Sequence, residues 1–241
     1  MSRRLDRRTA KIYHDPVVIQ AASMAVEKKD RNEPEISCTR STPFRVKGVE
    51  TMIDPDGNPL VTSRVMVLCR CGLSRRKPYC DGSHRQKGIN GDKSPDRIPH
   101  RRVDYRGRDI TVHDNRGVCS HDRSCVLGLP AVFRKNRLPW IDPDAAGPEE
   151  IEATVLKCPS GALSTSREGI PAENPERPPA IRLARNGPLE ITGSIEFRDD
   201  ADSRPESVEH YCLCRCGNSR NQPFCDGSHR TTRFRDDAPD E

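Results

Sequence analysis

Alternating apolar and polar positions predict two β-hairpins, one in each half of the chain. In the first hairpin, apolar segments at 44–52 and 60–68 flank residues 54–59, a turn rich in Asp, Pro, Gly and Asn. In the second, segments at 189–197 and 208–213 flank a longer polar turn. Turn residues between two runs with a period of two are typical of hairpins.

A different pattern lies between the hairpins and predicts a small α/β module at 105–166. Residues 109–113 have the composition of a strand. Residues 148–157 are predicted to form a helix, because Pro148 suits a first helical position and Ile151 and Val155 share one face. The chain as a whole is therefore expected to be small, loop-rich and α+β.

The remaining segments predict linkers and an arm. Residues 88–100 and 169–180 are rich in Pro, Gly and Asn and are expected to be linkers. Residues 1–40 are expected to form a flexible N-terminal arm with one helix near 16–28. The four predicted regions are the arm at 1–40, the first repeat at 41–92, the central module at 105–166 and the second repeat at 185–235.

Composition indicates small domains that need extra cross-links. Of 241 residues, 33% are hydrophobic, 4% are aromatic and 21 are proline. Small domains with little apolar core are commonly held by metals or disulfides. Eleven cysteines, an odd number clustered with histidine, favour metal ligation in a reducing compartment over a disulfide framework.

Charge and hydropathy exclude several partners. The net charge of +5 comes from mixed charges, and the Arg-rich pieces lack the interleaved aromatics of a base-stacking surface. The longest apolar run, 16–26, is too short for a membrane span and is interrupted by Gln20 and Ser23. We therefore expect a soluble cytoplasmic protein that binds neither nucleic acid nor membrane.

An 18-residue passage occurs twice, at 68–85 and 213–230, and differs at only four positions. Each copy contains the pattern C-x-C-x8-C-x3-H. A constant offset of 145 residues also superposes Pro43 on Pro188 and Gly48 on Gly193. The whole hairpin-plus-loop unit was thus duplicated, and the tightly kept Cys and His pattern indicates a metal site in each copy.

The ligand spacing separates two kinds of metal site. Structural zinc usually takes two C-x2-C-type knuckles, whereas each copy opens with C-x-C, whose side chains point to one face of an extended segment. The following Cys and His, four residues apart at a helix entry, can bind a second iron. Asp81 and Asp226 are expected to cap that helix, so that its N-terminus faces an anionic cluster. Zinc in the same ligands is the alternative.

The passages Cys80–His84 and Cys225–His229, each reading Cys-Asp-Gly-Ser-His, closely resemble the CDGSH (NEET-type) iron–sulfur family. The resemblance covers roughly 43–88 and 188–233. It implies two [2Fe–2S] clusters, each with three cysteines and one histidine as ligands. The implied ligands are Cys69, Cys71, Cys80 and His84 in the first repeat and Cys214, Cys216, Cys225 and His229 in the second.

The histidine ligand has chemical consequences. It reduces the formal charge of an oxidised cluster to roughly −1, against −2 for four thiolates, so the reduction potential should lie above that of an all-cysteine cluster. Imidazole is also the ligand most easily protonated near neutral pH, so acid should loosen the cluster. The resemblance implies redox activity and a transferable cluster. Since family members commonly pair two such units, we expect an intramolecular pseudo-dimer in a monomeric chain.

The central module resembles a divergent 4Fe–4S mono-cluster, ferredoxin-like domain. Its Cys119-Ser-His-Asp-Arg-Ser-Cys125 run and a remote Cys158-Pro pair carry the resemblance. Cys119, Cys125 and Cys158 are the predicted ligands of a [3Fe–4S] or [4Fe–4S] cluster. Asp122 has the spacing of a fourth ligand, and His121 is the alternative. The alternative is that no cluster is bound and that the three cysteines are simply buried in a small α/β domain.

Two cysteines lie outside these sets. Cys212 extends the second motif to C-x-C-x-C, but Val67 stands at its place in the first copy, so a buried strand residue is expected. Cys38 is expected to be an incidental thiol in a polar loop.

The predicted function is electron transfer, or cluster delivery, without catalysis by the chain itself. No nucleotide-binding loop, flavin site or catalytic triad is recognisable, so the expected partners are redox proteins or apo-protein cluster acceptors. Arg75, Arg76, Lys77 and Arg85 give the first site a basic rim, which predicts an acidic partner there. A cluster-based iron, redox or pH sensor is the alternative, followed by a zinc-binding interaction module.

Overall fold

The computed structural model describes residues 33–87 and 91–236, which contain three four-stranded sheets and four short helices. In chain order the strands are β1 Glu35–Cys38, β2 Phe44–Lys47, β3 Thr51–Ile53, β4 Val65–Leu68, β5 Val103–Arg106, β6 Thr111–Asp114, β7 Leu163–Arg167, β8 Ile170–Pro171, β9 Ala180–Leu183, β10 Leu189–Thr192, β11 Glu196–Asp199 and β12 His210–Leu213. The helices are α1 His84–Lys87, α2 Ser124–Gly128, α3 Pro148–Val155 and α4 Ser228–Thr231.

The duplication extends through four strands of each repeat. An offset of 145 residues takes β1, β2, β3 and β4 onto β9, β10, β11 and β12, starting with Glu35 on Ala180. The first sheet has the order β11-β1-β2-β4, and the second has the order β12-β10-β9-β3. Each sheet therefore takes three strands from one repeat and one strand from the other.

The exchanged strands add to the sheet edges in parallel. β3 pairs with β9, with Met52 opposite Ile181, and β11 pairs with β1, with Phe197 opposite Ile36. All four of these side chains are buried. The exchange therefore joins the two repeats through backbone hydrogen bonds and through a shared apolar core.

The predicted hairpins are only partly correct. β2 and β4 pair as expected, with Phe44 opposite Leu68, and β10 and β12 pair in the same way. The chain, however, turns after β2 at Gly48 and after β10 at Gly193, whose φ values of 62° and 80° lie in the left-handed region. A Cβ at Gly193 would stand 2.4 Å from the backbone of Pro178 and Pro179. These turns direct β3 and β11 to the other repeat.

The central module contains the third sheet, ordered β5-β6-β7-β8 and antiparallel throughout. The predicted strand at 109–113 is observed as β6, and the predicted helix at 148–157 is observed as α3. Ile151 of α3 is fully buried, and Val155 is buried beside it. The expected helix face therefore packs against the core.

The central module also covers one repeat more than the other. All four residues of β12 are buried, whereas Val65 and Val67 of the equivalent β4 are each 42% exposed. The Cys212 thiol of β12 donates a hydrogen bond to the Pro159 carbonyl, 3.3 Å away. Cys212 is thus a buried strand residue, as expected, because the central module lies on this strand.

The predicted N-terminal arm is too long at its C-terminal end. Residues 35–38 form β1, in which Ile36 is fully buried between β2 and β11. The alternation in this segment is short and polar, so long-range pairing decides its conformation. The helix expected near 16–28 lies outside the described residues. Among the described helices, none has the length and apolar character needed to cross a bilayer.

Candidate metal centres

The first motif arranges its four predicted ligands as two close pairs. The sulfurs of Cys69 and Cys71 are 3.8 Å apart, and the Cys80 sulfur lies 3.3 Å from Nδ1 of His84. Backbone hydrogen bonds hold the two pairs side by side: Cys69 N–H donates to the Pro78 carbonyl at 2.7 Å, and Cys80 N–H donates to Val67. The end of β4 and the start of α1 therefore converge on one site.

The second motif repeats this geometry closely. The sulfurs of Cys214 and Cys216 are 3.6 Å apart, and the Cys225 sulfur lies 3.4 Å from Nδ1 of His229. Cys214 N–H donates to the Pro223 carbonyl, and Cys225 N–H donates to Cys212, each at 2.9 Å. The duplicated sequence thus builds the same donor arrangement twice.

A serine and an aspartate stabilise each ligand loop. The Ser74 hydroxyl donates to the Tyr79 carbonyl at 2.6 Å, and the Ser219 hydroxyl donates to Phe224 at the same distance. Asp226 accepts hydrogen bonds from the backbone N–H groups of Arg220 and Ser228, and Asp81 makes the equivalent contacts. Hydrogen bonds from Ser83 hold the pKa of Asp81 below its usual value.

The expected N-cap role is wrong for both aspartates, because α1 begins at His84, three residues after Asp81, and α4 begins at Ser228, two residues after Asp226. The residue that precedes α4 is Gly227, with φ 85°, and it makes no side-chain capping bond. Asp226 stands one residue earlier and ties the helix entry to the middle of the ligand loop. Its side chain closes a local turn, because Asx side chains readily bond the backbone two residues on.

The arrangement in donor pairs bears on the kind of metal group that the motifs suit. Among residues 33–87 and 91–236, no group of three or more Cys, His, Asp or Glu side chains is arranged around a single metal position. A structural zinc ion requires four ligands around one point. Two separate pairs can instead each bind one metal atom, as the two irons of a [2Fe–2S] cluster require.

In each C-x-C pair, one of the two thiols has a lowered pKa. The hydrogen bond between Cys214 and Cys216 lowers the pKa of Cys214 and raises that of Cys216, and Cys69 and Cys71 behave in the same way. The hydrogen bond thus favours the thiolate at one sulfur of each pair and the thiol at the other. A bound metal ion displaces the proton of that thiol and keeps both sulfurs as thiolates.

The two sites differ strongly in burial. Cys71, Cys80 and His84 of the first site are partly exposed, whereas all four predicted ligands of the second site are buried. Burial lowers the pKa of His229 to about 4. The same ligand types are therefore more exposed to solvent in the first repeat than in the second.

The central module causes this difference, because its ligand loop lies on the second motif. The Asn221 side-chain amide donates to the Gly117 carbonyl at 2.6 Å, and the Arg230 guanidinium donates to the Asp122 carbonyl at 3.4 Å. The His121 ring lies against Gly227, so that a Cβ there would stand 2.4 Å from the ring. Among the described residues, the central module makes no equivalent hydrogen bond to the first motif.

The three central cysteines lie near one another. Cys119 follows a 3₁₀ turn at Arg116–Val118, Cys125 lies in α2, and Cys158 lies just past α3, with its N–H bonded to Val155. Burial, and then the nearby Cys158 sulfur, raises the pKa of Cys119 to about 12, although Arg116 opposes the shift. Burial and Cys158 also raise the pKa of Cys125.

Neither candidate for a fourth central ligand is bonded to these thiols in the described part of the chain. The exposed Asp122 carboxylate accepts the Ser124 N–H at 3.1 Å, and His121 contacts the second motif. A cavity of about 880 Å³ opens at this junction. Its lining includes Cys119, Cys125, Arg116, Trp140 and Asn221.

Sequence reasoning missed a buried network beside the motifs. Cys38 is not an incidental loop thiol: it is 8% exposed, and the Arg70 guanidinium donates to its sulfur at 3.5 Å. Burial raises the pKa of Cys38 to about 11. Gln222 also belongs to this network. The sequence contains one indication that Gln222 has a special role, because Lys77 stands at its place in the first copy.

Family comparisons identify the two repeats as iron-binding domains of one type and the module between them as a domain of another type. Residues 41–85 and 186–230 match the family described as iron-binding zinc finger, CDGSH type. Residues 105–168 match the family described as divergent 4Fe–4S mono-cluster. No curated protein and no solved structure gives a significant match. The chain contains two CDGSH-type iron-binding domains that flank a divergent 4Fe–4S mono-cluster domain.

Proposed function

We propose that the chain carries electrons between partner proteins through three iron–sulfur centres. Two [2Fe–2S] clusters would be held by the paired ligands of the repeats. A [3Fe–4S] or [4Fe–4S] cluster would be held by Cys119, Cys125 and Cys158 of a ferredoxin-like module. The observation that carries the proposal is the division of each CDGSH ligand set into two donor pairs, an arrangement that suits the two irons of a [2Fe–2S] cluster.

Contacts between the ligand loops support a series of the three proposed sites. The ligand loops of the two repeats touch: a Cβ at Gly72 would stand 2.7 Å from the Cys216 carbonyl oxygen, and one at Gly217 would stand 2.4 Å from that of Cys71. The central ligand loop touches the second motif through His121 and Gly227. This order supports a relay with the second CDGSH site in the middle.

The relay proposal includes an intramolecular pseudo-dimer of the CDGSH units. Its support is the reciprocal exchange of β3 and β11, together with the equivalent contacts of Gly72 and Gly217. A bound iron–sulfur cluster supplies a one-electron couple. The residues described above supply its position, its burial and the hydrogen bonds around its sulfurs.

The proposed entry point for partners is the first site. Its ligands are the more exposed, and Arg76, Lys77 and Arg85 lie in or beside its loop, whereas Asn221 and Gln222 replace two of them in the second copy. A basic rim favours an acidic partner and speeds its association. We therefore propose an acidic redox protein as the partner.

Metal analysis and electron paramagnetic resonance of the full chain test this function. Iron and acid-labile sulfide in the protein, with reduced signals from two [2Fe–2S] clusters and one further cluster, are the expected result. Stoichiometric zinc without sulfide would overturn the proposal. Stopped-flow mixing with a reduced acidic [2Fe–2S] ferredoxin should then show electron uptake, and a protein that stays oxidised would exclude transfer from this class of partner.

A second candidate function, cluster donation, is favoured by the exposure of the first site alone. A cluster can leave only if an acceptor reaches its ligands, and Cys80 and His84 are partly exposed while Cys225 and His229 are buried. Anaerobic incubation with an apo-ferredoxin should therefore transfer one [2Fe–2S] cluster and leave the second in place. Transfer of neither cluster would exclude donation. The sensor alternative stays a prediction.

A further inference from the structure

Gln222 connects the ligand loops of the two repeats. Its side-chain Nε2 lies 3.3 Å from the Cys214 sulfur, a predicted ligand of the second site. Its Oε1 accepts a hydrogen bond of 2.8 Å from Nε of Arg70, which stands between Cys69 and Cys71 of the first motif. Gln222 is 1% exposed, so water does not compete for either contact.

Arg70 fixes which end of the Gln222 amide faces the sulfur. The Arg70 side chain is itself buried, donates to the Thr39 carbonyl at 2.7 Å and lies over the ring of Phe44. A guanidinium can only donate hydrogen bonds, so the amide atom that it contacts must be the oxygen. The NH₂ group therefore points at Cys214 and donates to its sulfur.

The first site lacks this contact. Lys77 takes the place of Gln222, and Arg215, the counterpart of Arg70, bonds instead to the Gly187 carbonyl and to Asp236. In the described part of the chain, no side-chain nitrogen donates to the Cys69 sulfur. The backbone donors are equivalent at the two sites, since the N–H groups of Gly72 and Ser74 face Cys69 as those of Gly217 and Ser219 face Cys214. Gln222 is thus a side-chain donor specific to the second site.

We propose that Gln222 raises the reduction potential of the second cluster, with Arg70 of the first motif as the residue that positions it. The inference rests on the proposed function, because it requires a cluster on Cys214. Reduction adds negative charge to a cluster, and an N–H donor to a ligating sulfur stabilises that charge. The contact from Arg70 makes the electronic properties of the second site depend on the first motif.

Redox titration of the full holo-protein, followed by electron paramagnetic resonance, tests this inference. Gln222→Leu keeps the bulk of the side chain and removes the donor. We expect the ratio of reduced to oxidised second cluster at a fixed potential to fall about fivefold, as for the loss of one hydrogen bond. The first cluster should be unchanged. His84→Cys, which alters the first cluster, assigns the two signals.

Two further variants complete the experiment. Lys77→Leu is the matched control at the equivalent position and should leave the second cluster unchanged. Arg70→Lys keeps the charge but cannot reproduce the Nε contact, and it should lower the potential of the second cluster although it lies in the first motif. If Gln222→Leu does not fold, Gln222→Met removes the donor to sulfur with an unbranched, uncharged side chain of similar length.

The outcomes separate this inference from the proposed function. Wild-type protein with two [2Fe–2S] signals and unchanged potentials in the Gln222 variant would overturn the role of Gln222 alone. Wild-type protein without such signals would overturn the proposed function itself. Equal shifts of both clusters would also contradict the inference, because the contact is made to only one of them.

Discussion

The two copies of the 18-residue motif are almost identical in sequence and have very different surroundings. The residues that they share build the donor pairs and the Ser and Asp contacts of the loops. The four positions that differ include Asn221, Gln222 and Phe224, all 1% exposed, whose counterparts are Arg76, Lys77 and Tyr79. The shared residues thus form the predicted metal site. The residues that differ contact the parts of the protein that surround it.

The covered copy uses its different residues for contacts that the open copy does not have. Asn221 holds the central module through the Gly117 carbonyl, and Gln222 reaches Arg70 and Cys214. Phe224 packs against Phe197 and against the edge of His100. The same three positions are basic or hydroxylated in the first copy, which suits a surface left open for a partner.

The largest predicted loss of stability concerns the contact between the two ligand loops, which both copies make. Gly72→Ala and Gly217→Ala each place a Cβ against the backbone of the other copy's ligand loop, at a positive φ. Backbone cannot move aside as a flexible side chain can, so each variant should lose about 1–3 kcal/mol of stability from overpacking, in addition to the strain of its φ angle. Thermal unfolding and iron content should show similar losses, and a loss confined to one variant would show that the loop contact is not reciprocal.

The next largest effect is a difference in stability between equivalent variants of the two copies. Gly82 and Gly227 both have positive φ, at 91° and 85°, but a Cβ at Gly82 meets nothing within 4 Å, while one at Gly227 meets the His121 ring at 2.4 Å. Gly227→Ala should therefore be less stable than Gly82→Ala by about 1–2 kcal/mol. Thermal unfolding of the two variants checks this, with the common φ strain cancelled. Equal stabilities would mean that the central loop does not press on the second motif.

Acid should weaken the attachment of the central module to the second repeat. Hydrogen bonds from His100, and also from Asn115 and Arg102, lower the pKa of Glu206 to about 2 from its usual 4.5. A carboxyl with a lowered folded pKa stabilises the fold above its ordinary pKa, and this contribution disappears as the pH falls from about 4.5 towards 2. Val61 occupies the equivalent place in the first repeat.

Hydrogen exchange of residues 102–117, compared between wild type and Glu206→Gln, measures this effect. The wild type should lose protection over that pH range, and the variant should start less protected and change less. Because acid is expected to release clusters from both proteins, the difference in protection between them is the informative quantity. Identical pH profiles would contradict the role of Glu206.

The smallest effect should appear in kinetics alone. Combining Arg76→Glu, Lys77→Glu and Arg85→Glu reverses the basic rim of the first site without touching a predicted ligand. Association with an acidic electron donor should slow by about tenfold at low ionic strength and by less at high salt. Stopped-flow reduction measures it, and Arg64→Glu, an exposed arginine outside the motif, is the control. An unchanged rate would move the proposed entry point away from the first site.

Some features of the fold and the sites can be predicted from local sequence patterns, and others cannot. Strands β2, β4 and β12 and helix α3 follow from local periodicity, and the ligand spacing predicts residues that the fold does bring into pairs. The exchange of β3 and β11 depends on pairing between segments more than a hundred residues apart, which no local pattern encodes. β1 has a fully buried Ile36 but few other apolar residues, so its strand forms only with its neighbours present.

The surroundings of the sites were harder to predict than the ligands. The difference between Lys77 and Gln222 was visible in the sequence, but its meaning depends on Arg70, Thr39 and the packing of the central module. The burial of Cys212 was expected from its strand, while the partner that covers it, Pro159, comes from a distant loop. Burial is a property of the assembled fold, and a motif read alone does not contain it.

The exchange of strands between the repeats has a consequence for assembly inside a cell. Neither repeat can complete its own sheet, since β3 and β11 are each required by the other repeat. Two separate chains that exchanged strands would assemble only above a threshold of abundance. Here one chain carries both pairs of partner strands. With the pairing proposed within one chain, closure of both sheets does not depend on the concentration of the protein.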